Sequence, residues 1–250
     1  MNPQRRRLLV SFLRRLGLDP LATDGPGDTA AGLAPIEEAL SHTSAGLARN
    51  HERLEFLGDA VLRLAAAEVL QAAHPGLDVG RHSSLRAQLV SDRWLAGQAE
   101  RCGLIEVLHL GSTAARDRAG RATVLAETCE ALAGGIYEAW GGPRGGLEAV
   151  AAWLGPPWRQ AAAELLADPH RHNWKSALQE WSQGQGRGLP RYRCEERSRI
   201  HGDPRRFHCR VSIQADGDDG VAVRGEGWGG SRREAEQQAA RRALETITPP

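Results

Sequence analysis

Apolar residues recur at helical spacing through most of the first 167 positions. The clearest case is the segment 51–74, in which the stripe consists of Leu54, Leu57, Val61, Leu64, Ala65 and Leu70. The first helix, over 1–19, has a predicted buried face of Leu8, Leu9, Phe12 and Leu13. Further helices are predicted over 36–44 and over about 83–102, 122–139, 145–154 and 158–167. No alternating segment precedes residue 190, so the first unit is predicted to be all-α.

A different pattern begins near residue 174. A short helix over 174–184 precedes segments of alternating polarity at 191–199, 207–215 and 221–229, with a turn at 215–220. An amphipathic helix with Ser231 as its N-cap follows. The order α-β-β-β-α predicts a three-stranded antiparallel sheet with two helices on one face. The expected domains are an all-α domain at 1–158, a linker and terminal helix at 159–171, and the α-β-β-β-α domain at 172–248.

Composition and charge narrow the class of protein. Apolar residues make up 41% and charged residues 25%, which excludes a fully disordered chain or a fibre. No apolar segment approaches the length of a membrane span, so we expect no membrane partner. Residues 1–169 carry 17 basic and 20 acidic side chains, whereas 170–250 carry 15 and 11. The net charge is therefore −3 for the larger unit and +4 for the smaller one. The positive charge of the smaller unit indicates a polyanion partner.

The four cysteines, Cys102, Cys129, Cys194 and Cys209, are widely spaced and include no CxxC pair. The simplest interpretation is four reduced thiols in a cytoplasmic protein. Zinc held by cysteines is not expected, because no pair has ligand spacing.

Two groups of acidic residues are the candidate chemistry. Glu52, Glu55 and Asp59 fall within about 60° of one another on one helix face. Glu127 and Glu130 form a second pair within a mostly apolar helix. If the two helices pack with these faces together, four or five carboxylates converge on a site for Mg²⁺ or Mn²⁺ that can hydrolyse a phosphodiester. The alternative is two solvated acidic faces with no metal.

Three segments together with the basic unit resemble the ribonuclease III family. HERLEFLGDAVL at 51–62 closely resembles the family's signature, and ALSHTS at 39–44 and LAETCEALAGGIY at 125–137 are similar to its flanking segments. The C-terminal unit resembles a double-stranded-RNA-binding domain, including the pattern G-x-S-R-R-x-A-E from Gly229 to Glu236. The resemblance extends from about residue 8 to 247 and includes the expected order of domains.

The resemblance implies a homodimeric endoribonuclease that cuts double-stranded RNA. Its products would carry 5′-phosphate and 3′-hydroxyl ends with two-nucleotide 3′ overhangs, and its work would include precursor ribosomal RNA and other structured RNA. Mg²⁺ is the implied cofactor, with Mn²⁺ as a possible substitute and no organic cofactor. The implied metal ligands are Glu55, Asp59, Glu127 and Glu130, of which Asp59 and Glu130 are catalytic, with Glu52 as a supporting acid. Phe56 matches an aromatic dimer contact; the alternative is an ordinary core phenylalanine.

RNA contacts are predicted on both helices of the C-terminal unit. Gln179 and Glu180 offer groups that can bond 2′-hydroxyls in the minor groove of an RNA duplex. Ser231, Arg232 and Arg233 begin the last helix, where arginines oppose the helix dipole unless an external anion is present. The alternative is that these residues are only a solvated, charged helix start and do not contact RNA.

Five positions depart from the family pattern. His51 replaces the usual asparagine, Glu127 replaces aspartate, and Val79 and Thr113 stand where acids are common. Asp203 replaces a histidine in the loop between the first two strands, and no RNA contact is assigned there. These departures keep a second interpretation open, in which the protein binds double-stranded RNA and cuts little or none.

Overall fold

A computed structural model of the chain describes residues 1–167, 174–200, 203–214 and 221–247. It forms two compact units, Met1–Glu164 and Leu165–Pro250. A single helix, Gly146–Ala167, runs across the predicted boundary at residue 158. The rest of the predicted linker, from residue 168, and the predicted turn at 215–220 lie outside the described residues.

The described part of the first unit is helical, as predicted. Short 3₁₀ turns occupy Thr43–Ala45, Leu104–Glu106 and Gly142–Arg144. The α-helices are α1 Pro3–Arg15, α2 Ala34–Ala39, α3 Glu52–Ala73, α4 Val79–Leu89, α5 Asp92–Arg101, α6 Ser112–Arg116, α7 Arg121–Ala139 and α8 Gly146–Ala167. None of the described helices is long and apolar enough to cross a membrane.

Three helix predictions are wrong in their boundaries. The short helix expected over 36–44 is α2, which ends at Ala39, and a separate 3₁₀ turn follows at Thr43–Ala45. The single helix expected over 83–102 is two helices, because Ser91 adopts extended backbone (φ −78°, ψ 149°) between α4 and α5. The two helices expected at 145–154 and 158–167 are the single helix α8, which contains Pro156 and Pro157. A proline inside a helix removes one hydrogen-bond donor and its ring crowds the carbonyl of residue i−4, which favours a break, yet α8 continues past both prolines.

The core of the first unit contains the apolar stripes of α1, α3 and α7. Its largest fully buried side chains are Trp158, Phe12, Leu9, Leu13, Leu33, Ile36, Leu40, Leu54, Leu62, Leu70, Leu89 and Leu95. Two residues assigned to stripes from the sequence are exposed instead: Leu8 and Leu64 keep 41% and 53% of their surface. Both lie at the edge of a stripe, where periodicity alone does not decide burial.

The second unit has the predicted α-β-β-β-α order. Helix α9 is Trp174–Gly184, the strands are β1 Arg191–Glu196, β2 Phe207–Gln214 and β3 Val221–Gly229, and helix α10 is Arg232–Ile247. The sheet is antiparallel in the order β1-β2-β3. Its core is formed by Leu178 of α9, inward residues of β2 and β3, and a row of alanines on α10: Ala235, Ala239, Ala240 and Ala243.

One cysteine prediction is wrong. Cys194 and Cys209 lie directly opposite each other on β1 and β2, with their Cα atoms 4.0 Å apart, and form a disulfide. Their separation of 15 residues carries no sequence signal, because only the strand register makes them neighbours. Cys102 and Cys129 are free thiols, as predicted.

Candidate functional site

The site depends on a close crossing of α3 and α7. A Cβ atom built on Gly58 would overlap the backbone oxygen of Glu130, and one built on Gly134 would overlap the backbone oxygen of Leu54. Because both glycines lack that atom, the two backbones approach more closely than ordinary side chains allow. The acidic stripe of α3 and the acidic pair of α7 are therefore held along one helix crossing.

The carboxylates of the two helices are close enough to perturb one another. Burial raises the pKa of Glu130 to about 7, and the negative charges of Asp59 and Glu55 add to the effect. Burial also raises the pKa of Glu55, with contributions from Glu127 and Glu52. Each of these two pKa shifts is caused in part by an acid of the other helix, so the acidic residues of α3 and α7 lie near enough to interact electrostatically.

The individual acids have different surroundings. Both carboxylate oxygens of Asp59 accept hydrogen bonds at 2.9 Å from Nε of Arg63, one turn further along α3. Glu52 is exposed at the start of α3. Asp92, the first residue of α5, adds a further negative charge near Glu130 and was not identified from the sequence. The sequence signal for Asp92 was the Ser-Asp pair at 91–92, which is typical of a helix start. The same pair marks the boundary between α4 and α5 that the sequence prediction missed.

Glu127 faces two histidines that were not predicted to belong to the site. Its Oε2 atom lies 3.9 Å from Nε2 of His42 and 4.0 Å from Nε2 of His51. The two imidazole rings stack with their centroids 4.8 Å apart. Burial lowers the pKa of His51, and the neighbouring His42 lowers it further, which favours the neutral ring. The departures at positions 51 and 127 therefore lie next to each other.

Three other predicted positions lie on the surface of the first unit. Phe56 keeps 86% of its side chain exposed, so the interpretation as a core phenylalanine is wrong. Val79 begins α4 and is 82% exposed, and Thr113 is exposed on α6. The ring of Phe56 is therefore accessible to a partner.

In the second unit, the predicted RNA-binding side chains are solvent-accessible. Gln179 and Glu180 are exposed on α9, and Arg232 and Arg233 are exposed in the first turn of α10. Glu236 links the two helices, since it lies 2.6 Å from Nζ of Lys175 and 3.1 Å from Nε of Arg232. The link orients α9 and α10 relative to each other within this unit.

Ser231 is the N-cap of α10, as predicted. Its hydroxyl accepts a hydrogen bond from the backbone N–H of Glu234 at 3.2 Å, while the Glu234 carboxylate accepts one from the backbone N–H of Gly230 at 2.9 Å. This reciprocal pairing fixes the first turn of the helix. Arg232 and Arg233 are thereby presented from a rigid helix start.

The loop before β2 is ordered by its own polar groups. The Asp203 carboxylate accepts a hydrogen bond from the backbone N–H of Arg205 at 2.8 Å. The Arg205 guanidinium lies 4.7 Å from the centroid of Trp228, which also stacks on His208. Trp228 therefore packs at the sheet edge, and Trp174 and Trp181 pack against the core.

Comparisons with known proteins identify both units. A family described as Ribonuclease-III-like matches residues 35–145, and the double-stranded RNA binding motif matches residues 174–247. A Ribonuclease 3 of Prochlorococcus marinus is 50% identical over 213 residues, covering 85% of this chain and 82% of that protein. Proteins named Ribonuclease 3 2 from Nostoc sp. and Synechocystis sp. are each 39% identical, covering 99% and 97% of this chain and 96% and 93% of their own lengths.

These matches define an endoribonuclease unit joined to a unit that binds double-stranded RNA. The chain belongs to the ribonuclease III family. The family and fold predicted from the sequence are thus confirmed.

Proposed function

We propose that the acid group at the crossing of α3 and α7 binds Mg²⁺ and that the protein hydrolyses both strands of an RNA duplex there. The observation that carries the proposal is the close crossing of α3 and α7 at Gly58 and Gly134, which brings the acids of both helices near enough that Asp59 and Glu55 raise the pKa of Glu130 and Glu127 raises that of Glu55. Like-charged groups held this closely are destabilising by themselves, and a divalent cation relieves the repulsion.

The residues present fit a magnesium ion. Carboxylate oxygens are its preferred protein ligands, and Glu55, Asp59, Glu127 and Glu130 supply them from two rigid helices. When bound, the ion lowers the pKa of a water molecule and neutralises charge on the leaving oxygen. Arg63 holds the Asp59 carboxylate in place, and Glu52 adds negative charge at the rim of the site. The extra methylene of Glu127, compared with aspartate, lets its carboxylate reach from a more distant backbone.

We propose the products, targets and location that the family implies. The cuts would leave 5′-phosphate and 3′-hydroxyl ends with two-nucleotide 3′ overhangs, on precursor ribosomal RNA and other structured RNA in the cytoplasm. Mn²⁺ is proposed as a substitute for Mg²⁺. The domains are proposed to divide this work, with residues 1–158 cutting and residues 172–248 binding.

The direct test is cleavage of an end-labelled RNA duplex by the full chain, with Mg²⁺ and with EDTA. We expect cuts on both strands, offset by two nucleotides, only when Mg²⁺ is present. A single-stranded RNA of the same sequence serves as the control and should remain intact. Bound but uncut duplex, with Mn²⁺ also failing, would instead favour the binding protein without nuclease activity.

We propose a homodimer in which Phe56 of each protomer is covered by the other. Replacing Phe56 by alanine should weaken the dimer by roughly 100-fold or more, because a two-fold interface loses about 1.5–3 kcal/mol twice. Sedimentation velocity at several protein concentrations measures this dissociation. Leu189→Ala removes another apolar side chain, 61% exposed, from the second unit and should leave the dimer unchanged. An unaltered Phe56→Ala dimer would contradict the assignment.

We propose that Arg232 and Arg233 bind RNA phosphates while Gln179 and Glu180 contact the minor groove. The double replacement of both arginines by alanine should lower duplex affinity about tenfold or more at physiological salt and reduce the salt slope by about 2. Fluorescence anisotropy across a salt series measures both quantities. Arg242→Ala is the matched control, because Arg242 is 70% exposed on the same helix but lies away from its first turn. A salt slope equal to that of the wild type would count against phosphate contacts.

A further inference from the structure

His51 is a buried polar side chain without a hydrogen-bond partner. It is only 2% exposed, and neither of its ring nitrogens forms a hydrogen bond. Such an arrangement is rare in folded proteins, because the lost contacts with water are not replaced. A buried polar group of this kind generally binds a water molecule or an ion, or takes part in the protein's chemistry.

The Nε2 atom of His51 is directed towards carboxylate oxygens. It lies 3.4 Å from Oε2 of Glu55 and 4.0 Å from Oε2 of Glu127. The Nε2 atom of His42 lies 3.9 Å from the same Glu127 oxygen. One ligand atom from each of His42, His51 and Glu127 falls within 4.8 Å of the others. Movements of roughly an ångström would place all three about 2 Å from one ion.

The Nδ1 atom of His42 is held by Ser44, whose backbone N–H donates a hydrogen bond to it at 3.1 Å. The same Nδ1 lies 2.8 Å from Oγ of Ser44, and this oxygen also accepts a hydrogen bond from the backbone N–H of Gly111 at 3.0 Å. Because Nδ1 accepts from the Ser44 backbone N–H, a neutral His42 carries its proton on Nε2; a metal ion at Nε2 requires that proton to move to Nδ1, where the Ser44 hydroxyl oxygen can accept it. With the proton on Nδ1, Ser44 would fix the ring as the second partner of a metal-bound histidine commonly does.

We propose that His42, His51 and Glu127 form a zinc site beside the carboxylate group. Two imidazoles and one carboxylate are a common ligand set for Zn²⁺, with one position left for water, whereas Mg²⁺ prefers oxygen ligands. The zinc site rests on the proposed function in one respect, because Glu127 is also a proposed ligand of the magnesium site. Zn²⁺ bound here withdraws Glu127 from that site, so it inhibits cleavage supported by Mg²⁺.

The test is equilibrium dialysis of the full chain against Zn²⁺, in a large excess of Mg²⁺ and without thiol reductant. We expect one Zn²⁺ per chain, and we expect His51→Asn to weaken its binding by about 100-fold. The control is His74→Asn, because His74 also has a buried, unpartnered Nε2 but lies roughly 34 Å away along α3. Thermal unfolding confirms that both variants are folded before binding is compared.

Two results would overturn the zinc site. One is wild-type binding no tighter than that of His51→Asn, and the other is an equal loss in His74→Asn. Cleavage of duplex RNA by zinc-free wild-type protein with Mg²⁺ is measured separately. Cleavage without zinc binding contradicts the zinc site alone, whereas zinc binding without cleavage supports the zinc site and contradicts the proposed function.

Discussion

Replacing Glu130 by glutamine is expected to reduce duplex cleavage by about 1,000-fold or more while leaving duplex binding nearly unchanged. Glutamine keeps the size of the side chain but removes a negatively charged oxygen from the centre of the acid group. The side chains of α9 and α10 that we propose to bind RNA belong to the other unit. A large loss of binding together with cleavage would show that the two tasks are not divided in this way.

The same replacement should stabilise the metal-free protein at neutral and alkaline pH. The pKa of Glu130 is raised from 4.5 to about 7 on folding, so the folded state holds its proton more tightly than the unfolded state does. Ionisation of the unfolded chain therefore lowers stability progressively as pH rises from about 4.5 to about 7. The full shift corresponds to about 3 kcal/mol, which partial solvent exposure reduces to roughly 1–2 kcal/mol.

Thermal unfolding in EDTA between pH 4 and pH 8 measures this difference. We expect Glu130→Gln and wild type to have the same unfolding temperature near pH 4. As pH rises, the unfolding temperature of the variant should become higher than that of the wild type. Mg²⁺ should then stabilise the wild type more than the variant. Glu68→Gln, an exposed acid on α3, is the control and should follow the wild type. If the difference in thermal stability between the variant and the wild type did not change with pH, ionisation of Glu130 would not be its cause.

The acid group could be predicted from the sequence because its members repeat along helices. Glu52, Glu55 and Asp59 share a helix face by spacing alone, and the flanking segments resemble a known family. Periodicity does not show which helices touch or how closely. The role of Gly58 in the helix crossing depends on where the Glu130 backbone lies, which is tertiary information.

Other features were missed for the same physical reason. His51 was noted only as a departure from the signature, because its burial and its distance from Glu127 exist only after packing. The Cys194–Cys209 disulfide depends on strand register, which a spacing of 15 residues does not reveal. The boundary at Ser91 is different, because a serine followed by an acidic residue is a recognisable helix start.

Gly58→Ala tests whether the close helix crossing sets the geometry of the site. Alanine in a helix interior is normally favoured over glycine by about 1 kcal/mol. At position 58 its Cβ would overlap the Glu130 backbone oxygen, so α3 and α7 must separate. We expect the free energy of unfolding to fall by about 2 kcal/mol, because rigid backbone cannot yield as a side chain can. We also expect cleavage to fall about 100-fold, because carboxylates displaced by about an ångström no longer meet correctly.

Gly97→Ala provides the matched control for this prediction. Gly97 is in the interior of α5, where an added Cβ meets only the end of the Arg101 side chain, at 3.5 Å. This variant should therefore gain up to about 1 kcal/mol and cleave as the wild type does. Chemical denaturation and duplex cleavage of both variants give the comparison. If Gly58→Ala were also stabilised and active, the crossing would tolerate a side chain and close backbone contact could not be what brings the acids together.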